Sequence, residues 1–229
     1  FRCNSLKSIN LSSFNTSMVT NMYRIFYDCH SLEYLDLSNF DTSNISNMEE
    51  MFSLCKSLKS LDLRSFDTSK VTNMKMAFYN CLKLEYLDIS SFNTSIVSNM
   101  EGMFYNCQTL KSLDLSHFNT SKVKIMNEMF YDCNSLTSLE LGYLDTSSVT
   151  EMEMMFYSCS SLVSLNLFSF NTTNINKDTD MFYNLNNFLL YCINNNSILD
   201  SIKSQLYEYK EVSCPELCSN ISNTKYILD

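Results

Sequence analysis

The chain has 229 residues, enough for one domain or one elongated array with a sizeable core. Sixteen basic against 25 acidic residues give a net charge of −9, a poor match to a nucleic-acid backbone or an anionic membrane surface. Two glycines, Gly102 and Gly142, cannot build a glycine-rich nucleotide loop, and no run approaches the ~18 apolar residues of a membrane span.

From the first residues onward the chain repeats itself. Cys3, Cys29, Cys55, Cys81, Cys107, Cys133 and Cys159 are spaced by 26. Phe26 to Phe182 and Thr16 to Thr172 keep the same period. A fixed period in the range of roughly 20–50 residues marks a solenoid, whose units bury their apolar faces only against their neighbours. Seven copies cover residues 3–184.

One unit, Cys29 to Leu54, reads CHSLEYLDLSNFDTSNISNMEEMFSL. Leu35 and Leu37 share a face of a short strand, with Tyr34 and Asp36 on the other. Phe40 turns the chain inward, and Asp41, Thr42 and Ser43 form a corner of side-chain-to-backbone turns. Ser46 to Glu49 then reads as a capping box opening a short helix, repeated at Ser98 to Glu101 and Thr150 to Glu153. Ile45, Met48, Met51 and Phe52 supply its buried stripe. The expected fold is an α/β repeat solenoid, with one parallel sheet on one face and short helices on the other. Eight strand rungs ~4.8 Å apart would make a sheet about 35–40 Å long.

The pattern MFxxCxxLxxLDLSxFDTSxVTNM, as in Met51 to Met74 and Met103 to Met126, resembles the BspA-like leucine-rich-repeat surface proteins, including a 26-residue subtype long catalogued as a domain of unknown function. The resemblance implies a leucine-rich-repeat-like solenoid, display outside the cell and adhesive or host-contact roles, with no catalytic residues.

The first unit opens in mid-repeat and carries no polar cap, so an N-terminal cap is expected to be missing. No basic or apolar leader stands there either, so any targeting signal is expected to have been removed or to lie outside this chain. An eighth unit begins at Leu185, with Phe188 and Tyr191 in leucine positions, and then departs from the pattern. Ser197 would cap a helix presenting Ile198, Ile202, Leu206 and Tyr209 on one face, so 185–229 reads as a C-terminal cap on the 1–184 array.

The seven periodic cysteines, Cys3 to Cys159, are expected to be buried thiols in a column. Cys192, Cys214 and Cys218 stand apart. Cys192 is placed on the outward side of its strand, and a bridge to Cys214 or Cys218 would tie cap to array in an oxidising compartment.

On the outward strand positions Lys7, Glu33, Lys59, Glu85 and Lys111 alternate in sign, and Ser8, Tyr34, Ser60, Tyr86 and Ser112 alternate beside them. Favourable pairing between neighbouring rungs is expected for the charges. The alternation suggests growth by duplication of a 52-residue unit. Asp36, Asp62, Asp88, Asp114 and Glu140 instead stack like charge on like charge, which calls for compensation. Either adjacent Ser and Lys side chains bond them, or the column is a cation- or ligand-binding strip, with calcium the candidate ion. No other cofactor or metal site is expected. Two histidines, His30 and His117, do not assemble a nucleophile–base pair, and equivalent carboxylates on an open sheet are not poised as acid and base. An enzyme is not expected.

Sequons stand at Asn10, Asn15, Asn44, Asn93, Asn119, Asn171, Asn195 and Asn220. Four of them occupy the corner where other repeats carry Asp, so a short side-chain cap explains them without a glycan. The expected function is a non-enzymatic, secreted or cell-surface solenoid binding a protein or glycan through Tyr34, Asp36, Asp62, Tyr86, Asp88, Asp114 and Glu140. A structural spacer or lattice subunit contacting neighbouring copies, and an intracellular scaffold, are the alternatives. Neither a nucleic-acid partner nor membrane insertion is expected.

Overall fold

A computed structural model describes residues 2–139, 141, 143–194 and 198–214. Among the described residues the strands are β1 (Ser60–Asp62), β2 (Tyr86–Asp88), β3 (Ser138–Leu139), β4 (Ser164–Leu167), β5 (Leu190–Ile193) and β6 (Lys210–Glu211), with helix α1 at Asp200–Leu206. Every pairing is parallel: β1 with β2, and β3, β4, β5 and β6 in order. Partners in the repeats lie 26 residues apart, as in Ser60 opposite Tyr86 and Leu139 opposite Leu165. One period of sequence is therefore one step along a repeat solenoid. Among the described residues the expected single sheet is instead two sheets, with single backbone bonds such as Glu33 N to Lys7 O (2.9 Å) and Thr137 N to Lys111 O (3.2 Å) joining other rungs.

The short helices expected on the opposite face are absent among the described residues. In their place is a second backbone ladder. Asn21, Asn47, Asn73, Asn99, Ile125, Glu151 and Lys177 form parallel bridges in succession. Beyond each bridge the amides point alternately. Met48, Glu50, Phe52 and Leu54 donate to carbonyls of the next rung at 2.7–3.0 Å, while Met51, Ser53 and Cys55 close four-residue turns within their own rung. A positive φ recurs twice per rung, at Glu50 (52°) and Leu54 (64°), then Met76 and Asn80, then Gly102 and Asn106. A turn with its third residue at positive φ is the type II geometry and cannot continue a helix.

The physical reason for the misreading is geometric. Successive four-residue turns bury Met48, Met51, Phe52 and Cys55, the same i, i+3, i+4, i+7 spacing that marks a helical face. The capping boxes do not form either. Glu49 N is held by Asn47 Oδ1 (2.8 Å) and Glu101 N by Asn99 Oδ1 (2.8 Å), because a short amide side chain offers the backbone a local alternative to a helical cap.

The core lies between the two ladders. Phe26, Phe52, Phe78, Phe104, Phe130, Phe156 and Phe182 stack with centroids 5.6–5.7 Å apart and planes within 12° of parallel. Cys55, Cys81, Cys107, Cys133 and Cys159 are fully buried, and each thiol donates to the carbonyl of a Phe 29 residues earlier at 3.0–3.3 Å. Burial pushes the Cys55 and Cys133 thiols up to about 12 and those of Cys81, Cys107 and Cys159 well above the ordinary value. Cys29 is buried too, but Cys3 is exposed, a correction to the expected seven-membered buried column. It lies in the first rung among the described residues.

At the corner a buried threonine clamps successive rungs. Thr68 Oγ1 donates to Asn93 O (2.9 Å) and accepts from Asn93 N (2.7 Å), and Thr42 and Thr94 do the same to Asp67 and Asn119. The last threonine of the series, Thr172, accepts from Leu199 N at 2.8 Å and so anchors the segment leading into α1.

Helix α1 begins at Asp200 with Leu199 as its N-cap and no side-chain cap; Ser197, the expected cap, lies outside the described residues. Its Ile202 and Leu206 are buried, as is Ile198 before it. In earlier rungs Met51 N bonds Met48 O directly. At the corresponding place in the last rung Gln205 inserts its side-chain amide, accepting from Met181 N and donating to Asp178 O at 2.8 and 2.7 Å.

Candidate functional site

The strand face opposite the core carries the exposed residues singled out above. Parallel register sets Asp62 opposite Asp88 and Ser60 opposite Tyr86. Like charges thus face one another, and the structure shows how the column is tolerated. Each carboxylate closes an Asx turn: Asp36 Oδ1 accepts from Ser38 N, Asp62 from Arg64 N, Asp88 from Ser90 N and Asp114 from Ser116 N, all at 2.9–3.0 Å. The Arg64 guanidinium also pairs with Asp62 at 2.6 Å and reaches Asp88 at 3.5 Å.

These bonds hold all four carboxyls below the usual range. The Ser38, Ser90 and Ser116 donors dominate for Asp36, Asp88 and Asp114, and the Arg64 side chain brings Asp62 down to about 2. The compensating groups are Ser and Arg64, not the expected Lys residues. Nor does any ion pair join Lys7, Glu33, Lys59, Glu85 or Lys111 to one another among the described residues. Backbone bonds join these rungs whatever the side chain, as in Glu33 N to Lys7 O, Glu85 N to Lys59 O and Val163 N to Thr137 O.

Where a Ser follows a Tyr on the next rung, the face is indented. A cavity of about 600 Å³ is lined by Tyr34, Asp36, Ser38, Ser60, Asp62 and Arg64, among others. A second, of about 300 Å³, is lined by Tyr86, Asp88, Ser90, Ser112 and Asp114 with their neighbours. Apart from Arg64, these named residues correspond position by position at a spacing of 52. Tyr34 and Tyr86 are more than half exposed beside ionised acceptors, and the Tyr86 hydroxyl donates to Asp88 at 3.1 Å. Such a groove offers stacking and hydrogen-bond acceptance; with the carboxyls held low, none stands ready as a general acid at neutral pH. Glu140 lies outside the described residues.

The remaining sequence candidates are dispersed. Among the described residues no three His, Cys, Asp or Glu side chains converge to hold a metal ion. His30 sits 3.3 Å from Asp28, and His117 contacts Ile89 O at 2.9 Å with its ring edge-on to Phe118. Asn15, Asn93, Asn119 and Asn171 each accept from the backbone N two residues on. Asn10 does likewise to Ser12, and Asn44 donates to Ser17 O. Asn195 and Asn220 lie outside the described residues. Cys192 and Cys214 form a disulfide, and Cys218 also lies outside the described residues. Cys192 faces away from the main core yet is buried, because β6 and Val212 cover it.

One column went unread in the sequence. Tyr79, Tyr105, Tyr131, Tyr157 and Tyr183 stack along the turn ladder with centroids 4.5–4.9 Å apart. The same 26-residue period announces it, with Ser53 interrupting the series above Tyr27.

Parallel rungs in 26-residue register, a stacked core and a repeated groove define a β-rich repeat solenoid. Residues 1–113 and 72–196 match the family described as "Mycoplasma protein of unknown function, DUF285". The chain belongs to that family. No curated protein matches it. Among the described residues no helix is long and apolar enough to cross a membrane.

Proposed function

We propose that the chain is a BspA-like, leucine-rich-repeat type surface protein whose strand face recognises an extended protein or glycan partner. In this reading seven coils, from Cys3 to residue 184, form the array and residues 185–229 cap it. The observation that carries the proposal is the duplicated groove. Tyr34, Asp36, Ser60 and Asp62 recur as Tyr86, Asp88, Ser112 and Asp114, so one ligand lying along the array meets the same chemistry twice. Rungs ~4.8 Å apart put the two grooves about 10 Å from each other, a span suited to successive units of a linear chain. The Cys192–Cys214 bridge supports an oxidising, extracellular location.

The test is a solid-phase screen of surface glycans and proteins with the wild-type chain and the Tyr34→Ala/Tyr86→Ala double variant. Saturable binding that the double variant loses by tenfold or more, at unchanged melting temperature, is expected. A screen in which every ligand binds both chains alike would overturn it and favour a spacer.

A further inference from the structure

A cavity of about 390 Å³ lies where α1 and the segment after it meet the last rung, far along the chain from the strand-face grooves and built from different elements. Three tyrosines are among its lining residues. Tyr183 ends the tyrosine stack, 4.9 Å from Tyr157; Tyr209 is pinned by donating to Phe182 O at 3.1 Å; Tyr207 donates to Glu208 at 2.9 Å. Asp180 and Glu208 stand in the same lining, and among the described residues no Lys, Arg or His does. Gln205, whose amide is locked between Met181 N and Asp178 O, fixes the wall contributed by α1.

Aromatic faces carry negative potential at their centres, and two carboxylates add to it with no basic side chain among the described lining residues. That combination favours a cation. Its chemistry narrows further. A compact hard ion needs several converging oxygens, and among the described residues no three acidic side chains converge there. Rings as open as Tyr183 and Tyr207, 57% and 77% exposed, cannot offset stripping water from a small ammonium. An alkylated ammonium spreads its charge over methyl groups, holds water weakly and presents apolar surface to the rings. We propose that this cavity binds a quaternary ammonium group, held by Tyr183, Tyr207 and Tyr209 and charge-matched by Asp180 and Glu208.

The test is isothermal titration of the full chain with choline chloride at low salt, beside 3,3-dimethylbutanol, its uncharged carbon analogue. Saturable choline binding is expected, with the analogue at least tenfold weaker. Tyr183→Ala and, separately, Tyr207→Ala should each weaken binding about tenfold, and Glu208→Gln several-fold, all at unchanged melting temperature. Capture by phosphatidylcholine vesicles that choline competes away would identify a lipid headgroup as the source. The same behaviour with a trimethyllysine peptide would identify a protein side chain. Absence of saturation, equal binding of the neutral analogue, or full affinity in both tyrosine variants would overturn the proposal, leaving the strand-face reading untouched.

Discussion

Thr42 and Asp67 exchange two hydrogen bonds across neighbouring rungs: the threonine hydroxyl donates to Asp67 O at 3.2 Å and accepts from Asp67 N at 2.8 Å. One buried side chain thus stands in for a backbone pair at a corner where the chain turns too sharply for a ladder. The hydroxyl both donates and accepts, and only Ser shares that ability at this size.

The clamp makes Thr68→Val a sharp probe, since Thr68 is fully buried and serves both the N–H and the C=O of Asn93. Valine keeps the shape and strands two polar groups. The expected loss is about 2–3 kcal/mol in urea unfolding, with a smaller loss for Thr68→Ser, which keeps the hydroxyl. Equal stability of Thr68→Val and wild type would contradict the clamp.

Thiol chemistry should divide the cysteines by burial. Iodoacetamide at pH 8 is expected to modify exposed Cys3 in the native protein and to spare Cys55, Cys81, Cys107, Cys133 and Cys159 until denaturant is added. Burial raises the pKa of all five, so almost no thiolate is present to react. Peptide mapping of the alkylated protein reads the outcome, and early labelling of Cys107 would count against the packed column.

Much of this was legible in the sequence. The 26-residue period placed Leu61, Phe78 and Cys81 in the core, and the Asx corner at Asp41 appears with Asp41 Oδ1 accepting from Ser43 N at 3.0 Å. What the sequence could not separate was a helix from two consecutive turns, because Met48, Met51, Phe52 and Cys55 bury identically in both. Thr42 read as a local turn residue, since its partner Asp67 lies 25 residues away and only the stacking of rungs brings them together. Gln205 carried no signal at all; its role exists only once α1 meets Met181 and Asp178.

Acid should act on the strand face through Asp62. Its folded pKa, about 2, lies below the ordinary value of 3.8 because Arg64 bonds it, so its stabilising effect is present above pH ~4 and fades as pH falls toward 2. Arg64→Ala is expected to return the Asp62 carboxyl toward its ordinary range in a carboxyl-detected NMR titration and to flatten stability between those pH values. An unchanged Asp62 titration would show that the ion pair does not form.

The central claim is that the turn face is a ladder between rungs and not a row of helices, since the tyrosine stack depends on that register. NMR couplings measured across hydrogen bonds test it directly. The account predicts a coupling from Phe78 N to the carbonyl carbon of Met103, matching their 2.9 Å bond. A coupling from Phe78 N to the carbonyl of Met74, four residues back, would mean a helix and would contradict it.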